Sequence, residues 1–429
     1  MGKLVVLMVT AFVDMMGGLI VFPLIPFYAV KVIGHGPLWR ALDAVGMGGQ
    51  GAVVSLLVMM FAVAQLVSSP FWGRFSDRVG RRPALMVGLG ASAVAYVIFA
   101  FAGSLELLLV CRIVQGAGGG TVGVVQAYVA DATKPKDRAK ALGWLSAATN
   151  AGVAIGPVIG SWMQGFGVSA QALAADPTLK FRGPGLAAAL IAAVNIGFAW
   201  YFLRESHDAA AAHASGKKVR RSGEAVWRVV SHSGEPASRL IWIYGITMGA
   251  FQGMTTVLAL LLMEQFGVTE KTIGYFFAYV AVIGVVTRAL VLGKMVEWFR
   301  EVRLSRLGMV MLAIGLATMP LSPSIPVFAA TVALVPLGTA FTFPCVTGLL
   351  SQIVPQHERG LYMGVQQTFG GIARVVGPIY AGFAYDYLGH GVPFYTAGVI
   401  VLMTISLGVG MEDFVGEGRG VRREGVGEG

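Results

Sequence analysis

Apolar runs long enough to cross a bilayer recur along this chain, separated by short stretches rich in Lys and Arg. The clearest separator is Gly73-Arg74-Phe75-Ser76-Asp77-Arg78-Val79-Gly80-Arg81-Arg82-Pro83, with four arginines and one acid between two such runs. Only a structure that satisfies its own backbone can span lipid, and a helix does so with about 20 apolar residues. On that measure spans lie near 4–30, 51–72, 84–102, 107–130, 141–166, 185–203, 240–266, 273–296, 305–321, 327–350, 361–388 and 393–411. The first reads as a span and not as a signal peptide, since it outruns a signal core and no small-residue cleavage site follows. The polar stretch 73–83 is expected to be a loop outside the membrane.

Composition removes the soluble alternative. With 56% hydrophobic residues, 13% charged and a mean hydropathy of +0.72, there is too little polar surface to cover a soluble globule of 429 residues. The net charge of +10 does not mark a nucleic-acid surface, because the basic residues sit in alternate loops and not on one face with aromatic neighbours. Basic residues stay on the inner side during insertion. Of the 32 Lys and Arg, 24 fall in the loops, termini or span ends of one side of the expected topology, 5 on the other side and 3 deep within spans. The expectation is an all-α polytopic membrane protein with 12 transmembrane helices, both termini cytoplasmic, in the inner or plasma membrane. Cys111 and Cys345 lie in apolar runs, so neither a disulfide framework nor a metal site is expected.

An internal repeat organises the spans. Asp77, four residues after Gly73, is echoed by Glu297, four after Gly293; Arg138 is echoed by Arg359, and Gly156-Pro157 by Gly377-Pro378. The offsets are 220 or 221 residues, which predicts two parallel six-helix pseudo-repeats. In the second copy Arg300 and Glu301 stand where Gly80 and Arg81 stand in the first. The expected divisions are an N-terminal bundle (1–203), a basic linker (204–239), a C-terminal bundle (240–411) and a disordered tail (412–429). Within the linker, residues 224–232 are expected to form a short amphipathic helix.

Ionisable residues within the spans are few. Asp14 lies ten residues into the first, about 15 Å deep at 1.5 Å per residue. An anion there is costly, so a proton that comes and goes is the expected chemistry, against the alternative of a permanent pairing with arginine. Arg112, Arg288 and Arg374 are the deep cations. All six histidines fall in loops, which argues against a histidine proton relay. No Gly-x-x-x-x-Gly-Lys-Ser/Thr loop is present for ATP. The run Gly118 to Gly123 fits Gly-x-Gly-x-x-Gly, but it follows no strand, so close helix packing is the better account.

Six patterns carry a resemblance. Gly73-x-x-x-Asp77-Arg78-x-Gly80-Arg81-Arg82 resembles the loop signature of the major facilitator superfamily, and Arg112-x-x-Gln115-Gly116 is similar to its fourth-helix pattern. Gly152-x-x-x-Gly156-Pro157-x-x-Gly160 resembles the signature of the family's exporters. Phe12 to Gly18, Pro23-Leu24-Ile25-Pro26 and Ala127 to Asp131 look like the twelve-helix drug:proton antiporters, especially the tetracycline-efflux branch. The resemblance implies the major facilitator fold, proton coupling through Asp14 and Arg112, and a gate of Gly73, Asp77, Arg78, Gly80, Arg81 and Asp131. It implies a bend at Gly152, Gly156, Pro157 and Gly160, and a substrate cavity drawn from Gln115, Asn150, Gln252, Phe341, Phe343, Gln367 and Arg374. Where tetracycline exporters carry an acid before a Tyr in the third helix, Ala95 precedes Tyr96, which argues against metal–tetracycline as substrate. The implied function is proton-coupled export of small amphipathic compounds or drugs by a non-enzymatic monomer in the lipid bilayer, without cofactor. A carrier for an organic anion and a non-transporting membrane receptor or assembly protein of the same fold are the alternatives.

Overall fold

A computed structural model describes residues 2–134, 137–205, 222–356 and 358–412. Residues 206–221 of the basic linker and the tail from 413 onward therefore lie outside the described residues. The first span is helix α1 (Lys3–Val21), a 3-10 turn at Phe22–Leu24 and α2 (Ile25–Val32). Pro23 and Pro26 cause that interruption, since each removes a backbone donor. A short surface helix α3 (Pro37–Ala44) follows, then α4 (Gln50–Val79), α5 (Arg81–Ala100), α6 (Leu105–Gly119), α7 (Val122–Ala132), α8 (Arg138–Trp162), α9 (Ala170–Ala175) and α10 (Arg182–Phe202). Beyond the linker come α11 (Ser222–Ser231), α12 (Pro236–Phe266), α13 (Ile273–Val286), a π-helical turn (Thr287–Val291), α14 (Leu292–Thr318), α15 (Ile325–Ile353), α16 (Arg359–Tyr387) and α17 (Val392–Thr404).

Nine of the described helical stretches meet the length and hydropathy of a membrane span. One of them, Ile273–Leu321, is broken at Arg300 into two. Arg359–Tyr387 is long enough but carries too many polar side chains to meet the hydropathy threshold, and Val392–Gly408 is apolar but short. With these the expected twelve are accommodated.

The polar stretch 73–83 is not a loop. Helix α4 continues through Val79 and α5 begins at Arg81, so Gly80 alone leaves the helical region, at φ 110° and ψ 159°. Outside lipid a polar helix loses nothing by continuing, and a glycine lets two helices meet at a one-residue corner. The fourth span departs likewise: it breaks at Gly120 and Thr121 between α6 and α7.

Packing divides the chain into two compact units, Met1–Gly216 with Thr256–Val282, and Lys217–Thr255 with Ile283–Gly429. Each is held by glycine contacts too close for a side chain. In the first, a Cβ built at Gly88 would lie 3.2 Å from the Gly118 carbonyl oxygen, and one at Gly118 would lie 3.1 Å from that of Gly88. In the second, 220 residues later, Gly308 and Gly338 make the same reciprocal approach at 2.7 and 2.6 Å. The repeat is therefore one of packing as well as of sequence.

Candidate functional site

The first unit holds a buried polar chain around Asp14. Asp14, partly buried in the middle of α1, accepts a hydrogen bond from Ser92 of α5. One turn on, Gly17 and Gly18 leave room for Tyr96, whose ring and hydroxyl would lie 3.3 and 3.6 Å from Cβ atoms built there. Tyr96 is hydrogen-bonded to the Gln115 side chain, and Gln115 accepts from the Arg112 guanidinium. Arg112 also donates to the Leu57 carbonyl at 3.4 Å and lies 4.5 Å from the centroid of the Phe61 ring. Tyr96, close enough to Asp14 to feel its charge, and Gln115 thus stand between the two expected coupling residues, and among the described residues Ser92, not an arginine, is hydrogen-bonded to the Asp14 carboxyl. Ser92 and Tyr96 carry no charge, so nothing in the sequence marks them as partners of Asp14.

At the basic end of the same unit, Arg81 gathers three side chains. It contacts Asp77 at 2.6 Å, Asp131 at 3.1 Å and the Ser76 hydroxyl at 2.6 Å. Sequence reasoning missed Glu205, just past α10. Its two carboxylate oxygens accept from the backbone N–H groups of Arg81 and Arg82, each at 3.0 Å, and so cap the start of α5. A Cβ on Gly80 would fall 2.6 Å from one of those oxygens, so Gly80 is required by its neighbour as well as by its backbone angle. Gly73 has open space and Arg78 lies on an exposed face in the last turn of α4. In the second unit the corresponding contact is inverted: Gln352 donates to Glu301 at 2.5 Å.

The glycine–proline motif lies on α8 against α1. Cβ atoms built at Gly152, Gly156 and Gly160 would approach the carbonyl oxygens of Phe12, Met16 and Ile20 to 2.4, 2.5 and 2.3 Å. Glycines four apart form one face, and here that face lets two backbones touch along two turns on either side of Asp14. Pro157 sits inside α8, and a Cβ on Gly274 would meet its carbonyl oxygen at 2.2 Å.

The expected cavity residues differ in what occupies them. Gln115 is buried in the chain described above, and the Asn150 amide is engaged by Ser146 of its own helix, at 2.7 Å to the carbonyl. Gln252 of α12 is partly buried and makes a polar interaction. Phe341 packs in an apolar core with Leu304 and Cys345, so its ring is taken up by packing. Phe343 is half-buried, edge-on to Tyr244 at 5.3 Å, and Gln367 is exposed while its neighbour Gln366 is fully buried and accepts from Thr347. Arg374 is half-buried on α16.

Similar proteins share this architecture. A sequence model of the Major Facilitator Superfamily matches residues 7–378 and 289–412. Multidrug resistance protein 2 of Bacillus subtilis is 29% identical over 83% of this chain and 86% of its own length. The class B tetracycline resistance protein of Escherichia coli is 24% identical over 81% and 82%. Among solved structures, the human organic anion transporter MFSD10 superposes with a TM-score of 0.70 at 22% identity, over 95% of this chain and 98% of that one. A D-xylose–proton symporter gives 0.68 at 17% identity, over 94% and 97%. With the family matched over nearly its whole length and the paired helical units in place, the chain belongs to the Major Facilitator Superfamily.

Proposed function

We propose that the protein is a proton-driven secondary exporter of small amphipathic compounds, working by alternating access in the cell membrane with both termini in the cytoplasm. The observation that carries this reading is the setting of Asp14: mid-span, among side chains, with a serine and no arginine on its carboxyl. A carboxyl that had a permanent cationic partner would stay ionised. One that has only a hydroxyl and a nearby phenol gains a proton when water reaches it and loses it when the other side opens. Arg112, held by Gln115 and Phe61, supplies a fixed positive charge within reach of Tyr96 and so of the coupling chain. The glycine contacts of α8 on α1 let the segment around Asp14 shift as a packed pair. The names of the bacterial multidrug and tetracycline resistance relatives support export over uptake.

An inward proton yields about 2.3 kcal/mol per 100 mV, so one proton per neutral molecule sustains a roughly 50-fold gradient at that potential. Asp14→Asn is nearly isosteric but cannot exchange a proton. In proteoliposomes it is expected to abolish accumulation of a fluorescent amphipathic dye against its gradient, while detergent melting stays within a few degrees of wild type. Full uphill transport by the folded variant would rule out Asp14 as the coupling group.

A further inference from the structure

Helix α13 does not pass straight into α14. Residues Thr287–Val291 form a π-helical turn, the single such stretch among the described residues. A π-turn carries an extra residue in the hydrogen-bond ladder and is frequently found at functional sites. Arg288 is its second residue, roughly 22 Å along the helix from Ile273 at 1.5 Å per residue.

Several residues of this helix are exposed, and from Arg288 to Val291 the exposure is continuous. Tyr275, Tyr279, Val282, Val286 and Leu290 are 40–70% exposed, and at about 100° per residue they fall within one narrow stripe, the face expected toward lipid. Arg288 is exposed as well, but it lies roughly 160° around the helix from the centre of that stripe. Val291 on the same side is exposed too, whereas one turn back that side is packed. Gly284 is buried there, and a Cβ built on it would lie 3.7 Å from Pro336 of α15 and 3.9 Å from Nη1 of Arg288. The guanidinium therefore folds back over Gly284 on the side where α15 lies. Charged side chains within membrane spans almost always face the bundle interior or a water-filled cavity.

No partner neutralises it. Among the described residues Arg288 has no hydrogen bond, ion pair or ring contact. Arg374 on α16 of the same unit is likewise without a partner. By contrast Arg112, Arg239 and Arg306 each hold at least one carbonyl oxygen. A guanidinium stays charged at any working pH and offers a planar fork of donors that matches a carboxylate. Leaving such a group uncompensated inside a membrane is costly, and a transported counter-ion that arrives and departs would relieve that cost in each cycle.

We infer that Arg288 is the anion-recognising group of the transporter and that its substrates include amphipathic organic carboxylates, gripped at the charged end by this guanidinium. The proposal rests on the transport reading above and names its substrate class. Two dyes of similar size test it: fluorescein, a carboxylate, and rhodamine 6G, a cationic ester. Equilibrium binding of each to the full-length detergent-solubilised protein is read by anisotropy. Wild type is expected to prefer fluorescein. Arg288→Gln is expected to shift the fluorescein to rhodamine 6G preference by roughly tenfold or more, the loss of a charge-assisted pair. Arg288→Lys, which keeps the charge and loses the fork, should shift it less. Without any variant, benzoate should displace fluorescein from wild type and benzamide at equal concentration should not. The inference is overturned if wild type shows no preference for fluorescein, if a folded Arg288→Gln keeps that preference, or if benzoate and benzamide compete equally. Gradient-driven uptake of the two dyes by wild type in proteoliposomes reads the export proposal separately. Its failure would remove proton-driven export while the binding ratio still decided the role of Arg288.

Discussion

Gly80 and Arg300 occupy equivalent places in the two halves of the repeat, and both combine a positive φ with an extended ψ. Gly80 has φ 110° and ψ 159°; Arg300 has φ 60° and ψ 160°. Arg300 is the one non-glycine residue with positive φ among those described. That region is close to glycine-only, and a side chain there costs about 1–3 kcal/mol. The second corner thus keeps the geometry of the first after losing the residue that makes it cheap. Arg300→Gly is expected to raise stability by about 1 kcal/mol, the relieved strain less the extra chain entropy of glycine. Detergent melting of the full chain measures it, and an unchanged or lower midpoint would show that the corner is unstrained.

Between the elements of the first unit, one connection is pinned by polar contacts. The turn from α12 to α13 carries Glu270, whose carboxylate pairs with Lys180 and whose carbonyl accepts from Ser161 at 3.0 Å. Ser161 in turn accepts from the backbone of Gly274 at 3.0 Å. Burial pushes the Glu270 carboxyl up, but the hydrogen bond from Lys180, a backbone N–H and the charges of Lys180 and Lys31 outweigh it, so its pKa lies below the usual 4.5. A carboxyl depressed in the folded state lends stability that is complete above its ordinary value and is lost as pH falls through the lower, folded one. The two side chains are 24% and 16% exposed, so the pair is shielded from solvent and is worth about 1–2 kcal/mol. Glu270→Gln is expected to melt earlier than wild type at pH 7, with the gap closing as the pH drops below 4.5. A gap that stays constant with pH would mean the charge contributes nothing.

At the scale of the molecule, the network of Asp77, Arg81 and Asp131 is proposed to close the cytoplasmic side in the outward-open state. An interaction present in one state alone biases the equilibrium by its own energy, about 5- to 30-fold for 1–2 kcal/mol. Asp77→Asn removes the charge that meets Arg81 at 2.6 Å. A cysteine placed on the cytoplasmic side of the transport path is expected to react several-fold faster with a thiol reagent in that background, with slower turnover. Glu297→Gln, at the repeat position, should change labelling less. Equal labelling in Asp77→Asn and wild type, with normal transport, would leave the basic stretch as a topology signal.

The sequence by itself determined the class, the positions of most spans to within a few residues, the repeat and the depth of Asp14 in its span. Each follows from the cost of placing polar groups in lipid, which depends on residue type and is written along the chain. The tertiary structure decided what needs two distant segments to meet. Glu205 caps a helix that begins 124 residues before it, and Ser92 and Tyr96 stand between Asp14 and Arg112 without any charge to announce them. Phe341 and Phe343 are two residues apart and read alike in sequence, yet one is core and the other half-exposed, because a helix turns about 200° between them. The same geometry sets Arg288 apart from the stripe of Tyr275, Tyr279, Val282 and Val286. Depth in the membrane is a property of sequence, whereas the direction a side chain faces and what it meets there are fixed only when the helices pack.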